Sequence, residues 1–211
     1  MTDLVHAIDV SNWQPWAADP QSLQEHLAPI DPPITHVIVR LSLETPTLSA
    51  ISVTQLQAAS ISGYSVGGYV WAYPDSVPTD TVRNALALVA DAGVTLPILW
   101  IDLEEQDGPG TWWIDRALAL ARRLRRGLRP GRAPARCPRV GIYTGLWWWG
   151  PHMGEAEFRF PGVPLWTANY NDKPDLDVPT YGGLELVGHQ WTNKAPDGSG
   201  LDRSVLLAAY T

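Results

Sequence analysis

Two acids separated by one residue close the apolar stretch ILWIDLEEQDG, residues 98 to 108. Along an extended strand, residues i and i+2 face the same side. Asp102 and Glu104 therefore point together, with Cα atoms roughly 6.5 to 7 Å apart at ~3.3 Å rise per residue. Carboxyl groups this close cannot both ionise freely. Repulsion and burial hold one of them protonated near neutral pH, the state a general acid needs. Paired carboxylates are the equipment of glycosidases. The same acid-x-acid spacing occurs at Glu105/Asp107, Glu155/Glu157 and Asp175/Asp177, where solvated loop is the simpler reading. Only Asp102/Glu104 follows a long apolar run. Glu105 falls on the opposite face and, with Asp107, reads as the strand turning into solvent.

A third acid, Asp9, ends another apolar run in AIDVSNWQ. Aromatic residues accompany these acids. The chain has 11 tryptophans, an unusually high number, and many stand where apolar runs end: Trp13, Trp71, Trp147 to Trp149, Trp166 and Trp191. Core packing accounts for most tryptophans. A ring of aromatics around clustered acids nevertheless fits a sugar cleft, where flat apolar faces meet pyranose rings.

Other chemistries lack their signatures. The sequence has no GxSxG elbow, no Walker lysine loop and no GxGxxG after the first apolar run. Its five histidines (His6, His26, His36, His152, His189) show no metal-ligand spacing. No cofactor and no metal is expected. Cys137 is the only cysteine, so an intramolecular disulfide is impossible, and without a nearby histidine partner it reads as inert. A net charge of −7 argues against a nucleic-acid surface. Nine of the 15 basic residues, however, lie between Arg116 and Arg139. A solvated helix face and a Pro/Gly-rich loop explain them simply; docking of an anionic polymer at Arg122, Arg123, Arg125 and Arg126 is the sharper reading. No apolar run is long enough to span a bilayer, and MTDLVHAIDVSNWQ lacks the pattern of a signal peptide.

These residues need a frame. Strands are predicted at Val5–Val10, His36–Leu41, Val66–Ala72, Leu96–Asp102, Arg139–Thr144, Val163–Ala168 and Leu186–Trp191. Several are apolar at nearly every position, as parallel strands covered on both faces are. Helices are predicted at 20–28 behind Asp19-Pro20, at Thr54–Ser62 before Gly63, at Asp80–Ala92 before Gly93, and at Trp112–Arg126 with Thr111 as cap and Gly127 beyond. The alternation, followed by a less helical end, implies an α/β barrel or a doubly wound sheet in one domain. In a parallel barrel the C-terminal strand ends converge on one face, which gathers Asp9, Asp102 and Glu104.

Several motifs in order resemble glycoside hydrolase family 25, the muramidases of bacteriophages and bacteria. They are AIDVSNWQ, LPILWIDLEE, VGIYTGLWWW, VPLWTANYN and HQWTN…LDRS, together covering most of the chain. The resemblance implies an irregular TIM-like (β/α) barrel, a single domain over residues 1–211. It implies cleavage of the β-1,4 bond between N-acetylmuramic acid and N-acetylglucosamine in peptidoglycan. By motif, Glu104 corresponds to the general acid and Asp102 to the residue orienting the substrate's assisting 2-acetamido group. Asp9 and Asp202 correspond to the other active-site acids, and Tyr143 and Trp166 to walls of the groove, to which Trp13, Trp71 and Trp191 are added from their positions. A phage endolysin or virion-borne lysozyme is the expected setting, held in a host cytoplasm before release to the wall or carried on the particle. A glycan-binding barrel without turnover and a barrel hydrolase of another polysaccharide are the alternatives. The chain departs from the family pattern at Leu43 and Glu44, where the acid comes one residue late, at Val70 in place of a histidine, at His189 in place of a tryptophan, and at Ser204 in place of an asparagine.

Overall fold

All seven predicted strands form, and an eighth joins them. In a computed structural model, which describes residues 3–107, 111–126, 139–153, 160–194 and 200–211, the strands close into a barrel in chain order. They are Leu4–Val10 (β1), His36–Arg40 (β2), Ser65–Trp71 (β3), Ile98–Asp102 (β4), Arg139–Gly145 (β5), Pro164–Ala168 (β6), Glu185–Thr192 (β7) and Arg203–Leu207 (β8). Strands β1 to β7 run parallel, whereas β8 is antiparallel to both β7 and β1. Closure selects the barrel over the doubly wound sheet. The loop 127–138 with Gly127 and Cys137, the side chains of Arg122, Arg123, Arg125 and Arg126, and the pair Glu155/Glu157 lie outside the described residues.

Five helices are present among the described residues: Pro20–Leu27 (α1), Pro46–Ile61 (α2), Pro78–Asp91 (α3), Thr111–Arg126 (α4) and Leu146–Met153 (α5). Helix α2 starts at Pro46, well before the predicted Thr54. Its cap is Thr45, whose hydroxyl accepts the Leu48 N–H at 3.2 Å, with proline in the first turn. Helix α1 begins in the expected way, with the Asp19 carboxylate accepting the Ser22 N–H at 2.8 Å. Thr111, expected as the cap of α4, is its first helical residue. Helix α5 and β8 were not expected. The first is an apolar tryptophan run with an internal Pro151, and the second is a short segment whose partners are β1 and β7.

The strands carry two cores. Outward residues such as Ile8, Val37, Val39, Leu99, Ile101, Ile142 and Leu165 pack with the helices. Inward residues, among them Ala7, Ile38, Ile98, Trp100, Tyr143, Trp166 and Leu206, fill the barrel. Two interior tryptophans fit because their neighbours are glycines. A Cβ at Gly141 would stand 2.4 Å from the Trp100 ring, and one at Gly188 would stand 3.1 Å from Trp166. The barrel is thus filled by side chains and not a pore.

Two buried polar residues of α2 fix the loops at that rim. Ser52 donates to the Arg40 carbonyl at 2.8 Å and accepts the Ser42 N–H at 3.0 Å. Gln55 donates to the carbonyls of Ser11 and Gln14 at 2.8 and 2.9 Å. The turns leaving β1 and β2 are therefore tied to one helix, which limits their freedom to move independently.

Candidate active site

A cavity of about 360 Å³ opens at the C-terminal rim of the barrel. All four acids singled out in the sequence line it. Asp9 comes from the end of β1, Asp102 from the last position of β4, and Glu104 from two residues beyond. Asp202 immediately precedes β8. Because β8 runs against its neighbours, its start lies at the same rim as the ends of the parallel strands.

The backbone carrying Glu104 is held on both sides. Leu103 continues the ladder with β5: its N–H donates to the Tyr143 carbonyl at 3.0 Å, and its carbonyl accepts the Thr144 hydroxyl at 2.7 Å. Beyond Glu104, the Glu105 carbonyl accepts the Trp148 indole N–H at 2.7 Å, and a ring nitrogen of His152 stands 2.7 Å from the Gln106 carbonyl. Both Trp148 and His152 belong to α5. The tryptophan run of that helix thereby fixes the acid-bearing loop.

Burial dominates the electrostatics of the cluster. It raises Glu104 to about 7, with the charge of Asp202 adding and the Tyr143 hydroxyl opposing. It raises Asp202 to about 6. Asp102 is pushed well above the usual carboxylate range by burial and then by Glu104, against the pull of Arg40. Asp9 is pushed up in the same way by burial and by Asp202, against a hydrogen bond from Gln190. Four carboxyls in one partly dry cavity resist ionising together. One of them, Asp102, keeps its buried Oδ1 without a hydrogen-bond partner among the described residues.

Gln190 organises the far wall. Its amide donates to Asp9 Oδ2 at 2.9 Å, while its Oε1 accepts the hydroxyls of Tyr143 at 2.7 Å and Tyr170 at 3.1 Å. Tyr143 also packs on Trp166, ring centroids 4.3 Å apart, and the Trp166 indole donates to Ser204 Oγ at 3.0 Å. Ser204, one of the departures from the family pattern, thus supplies the acceptor for a cleft tryptophan.

The opposite wall is Trp71. Its face lies under the Arg40 guanidinium at 5.2 Å, and its indole N–H donates to Glu105 Oε2 at 3.0 Å. Arg40 is in turn paired with Glu44 at 2.7 Å, and the Tyr73 hydroxyl donates to the same Glu44 oxygen at 3.0 Å. The acid that comes one residue late in the second-strand motif therefore secures Arg40. Glu105, expected to face solvent with Asp107, instead holds an aromatic wall of the cavity; only Asp107 is exposed.

Of the tryptophans assigned to the cleft, Trp71 and Trp166 line it and Trp13 stands at its mouth, 79% exposed. Trp191 does not line it. It is 5% exposed and packs beneath the Arg203 guanidinium at 5.3 Å. Its position at a strand exit was correct, but adjacent residues of β7 face opposite sides, and Gln190 takes the inward one. Ser11, Gln14, Arg40, Tyr69, Tyr170 and Gln190 also line the cavity without having been singled out. Arg40 and Tyr69 carried a usable signal, since inward positions alternate along β2 and β3. Tyr170 and Gln190 acquire their roles only from contacts across the barrel. Another departure, His189, is fully buried, its ring nitrogens 2.7 Å from the carbonyls of Asp175 and Asn169. Among the described residues no group of three or more His, Cys, Asp or Glu side chains is placed to hold a metal ion.

A closed α/β barrel with clustered carboxyls whose burial favours the protonated form, and aromatic walls, at its C-terminal rim defines a glycosidase-type cleft. The chain matches the model of the glycosyl hydrolases family 25 over residues 8–199 and belongs to that family. It is a glycoside hydrolase, and peptidoglycan hydrolysis is the activity this membership supports. Its fold is shared by a muramidase from Acremonium alcalophilum, 21% identical with a TM-score of 0.62, covering 96% of this chain and 93% of that one. It is shared by a family GH25 lysozyme from Aspergillus fumigatus, 20% identical at TM-score 0.64, covering 97% and 94%. The catalytic domain of the endolysin ply40, from a bacteriophage of Listeria monocytogenes, is 17% identical at TM-score 0.63, covering 98% and 94%. No functionally curated protein matches the chain in sequence.

Proposed function

We propose that the protein is an N-acetylmuramidase that cleaves the β-1,4 bond between N-acetylmuramic acid and N-acetylglucosamine, with Glu104 as general acid and Asp102 orienting the substrate. The observation that carries this reading is that Asp102 and Glu104, two residues apart at the end of β4, line one cavity with Asp9 and Asp202, where burial raises Glu104 to about 7. A carboxyl in that lining can accept a substrate N–H. The acetamido N–H of the muramic ring is such a donor, and its capture points the acetamido oxygen at C1.

The reaction then needs no carboxylate nucleophile. The acetamido oxygen attacks C1 as the C1–O4 bond breaks, and the Glu104 proton passes to O4 of the departing N-acetylglucosamine. Water next attacks C1 of the oxazolinium, giving its proton to the Glu104 carboxylate. The C1–oxygen bond of the ring opens, the acetamido group is restored, and the configuration at C1 is retained. Burial and then the negative charge of Asp202 let Glu104 hold its proton near neutrality, while Gln190 fixes Asp9 in the same cavity. Trp71 and Trp13 supply accessible aromatic faces for sugar rings, and the buried Tyr143 and Trp166 back the lining.

Turbidity loss of purified peptidoglycan by the wild type and by Glu104→Gln tests this. Clearing by the wild type with new muramic acid reducing ends, abolished in the variant, is expected. Binding without clearing, or reducing ends on another sugar, would overturn it.

A further inference from the structure

Tyr170 borders a second cavity as well as the first. A second cavity of about 320 Å³ lies on the α5 and β6 side of the rim, lined by Leu146, Trp147, Asn169, Tyr170, Pro179 and Tyr181 among others. Tyr170 is common to both cavities, so the two are neighbours on one face. Three of its lining residues are large apolar side chains left open to water: Leu146, Trp147 at 57% exposure and Tyr170 at 46%. Isolated exposed hydrophobics need no explanation, but a contiguous group rimming a cavity marks a binding surface.

The cavity is built from fixed parts. The Trp147 indole lies against Gly145, where a Cβ would come within 2.1 Å of the ring nitrogen. Glycine at the end of β5 thus makes room for the indole against the strand. At the back, the Tyr181 hydroxyl shares a hydrogen bond with Thr167 Oγ1 at 2.8 Å and donates to the Thr144 carbonyl at 2.9 Å. Tyr170 is anchored through Gln190, which also holds Asp9. Flat faces on such a preorganised frame suit pyranose rings, with the Asn169 amide in the lining to fix orientation.

We infer that this cavity is a second subsite for the same glycan strand, taking an uncharged N-acetylglucosamine ring farther from the scissile bond; this rests on the muramidase reading. No charged side chain lines it among the described residues. That lining offers no ionic partner to the lactyl carboxylate of muramic acid or to the carboxylates and amines of stem peptides. The neutral sugar of the alternating strand needs none. The spacing of the two cavities would then help set which of the alternating bonds falls at Glu104.

Two measurements on Trp147→Ala and Trp147→Phe test it. In the first, kcat/KM is compared on peptide-free strands of four and eight sugars. The wild type gains on the longer strand, and Trp147→Ala loses about tenfold of that gain while Trp147→Phe keeps most of it. In the second, binding of a chitin octasaccharide, uncharged throughout, weakens about tenfold in Trp147→Ala. An unaltered length gain or an unaltered affinity overturns the subsite. A Trp147 effect confined to peptide-bearing strands overturns it in favour of a stem-peptide site. Absence of cleavage by the wild type defeats the muramidase reading alone, since the octasaccharide measurement still decides the subsite.

Discussion

The Trp71 indole N–H lies 3.0 Å from the carboxylate of Glu105, the residue next in sequence to Glu104. Neighbouring acids on one loop thus serve different ends, one facing the cavity and one gripping its wall. Glu105→Ala leaves the half-buried indole without its acceptor, at a cost of about 1 kcal/mol in wall order, equivalent to about fivefold in affinity. KM for peptidoglycan fragments should rise several-fold with kcat little changed. A loss confined to kcat would place Glu105 in the chemistry instead.

Glu104 links activity and stability through one proton. With Glu104 in the proposed role of general acid and raised to about 7, activity is expected to fall as pH rises through that value. Stability follows the same group. The unfolded chain releases this proton near 4.5 and the folded protein near 7, so stability declines as pH rises between the two and levels off above. Glu104→Gln removes the burial penalty. It should melt higher than the wild type at pH 8, by ~2–4 °C for each kcal/mol relieved, and match it at pH 4. Equal melting temperatures at both values would contradict a buried, raised Glu104.

Gln190 holds one acid and two tyrosines with a single amide. Gln190→Ala withdraws the donor to Asp9 and the acceptor of Tyr143 and Tyr170, with unsatisfied buried groups costing about 1–3 kcal/mol each. A fall in kcat of about tenfold or more is expected. Steady-state kinetics on soluble glycan strands would show it, and an unchanged kcat would reduce Gln190 to a packing role.

Inside the barrel, Gly141 makes room for Trp100. Gly141→Ala puts a methyl 2.4 Å from that ring, in an interior with no slack. Overpacking of this kind costs about 1–3 kcal/mol. Thermal unfolding should shift down by ~2–4 °C per kcal/mol, with no change in the pH at which activity falls.

What could be read from the sequence divides along a physical line. The strands β1 to β7 announce themselves by local apolar runs, and the acids by standing at the ends of those runs. Strand β8 has no such signal: RSVLL is short, begins with a charge, and becomes a strand through two antiparallel partners. Trp191 illustrates the same limit. Its address at a strand exit is local information, whereas the side it faces depends on the register of β7, which shifts against both neighbours. Glu105 reads as solvent-facing because it alternates with Asp102 and Glu104 along the chain, yet its carboxylate meets an indole that sequence alone does not place. Gln190 and Tyr170 owe their roles to partners up to 181 positions distant.

The reversed eighth strand ties catalytic competence to closure of the barrel. Asp9 enters the barrel from its first strand and Asp202 from its last, with Gln190 bonded back to Asp9 across the seam. Contacts of such long range form late and slowly in folding. A nascent or truncated chain lacking the final ten residues would carry Asp9, Asp102 and Glu104 on an unsealed sheet without the fourth acid. Wall-cleaving power is therefore acquired at the closing of the seam, not gradually as the polypeptide lengthens.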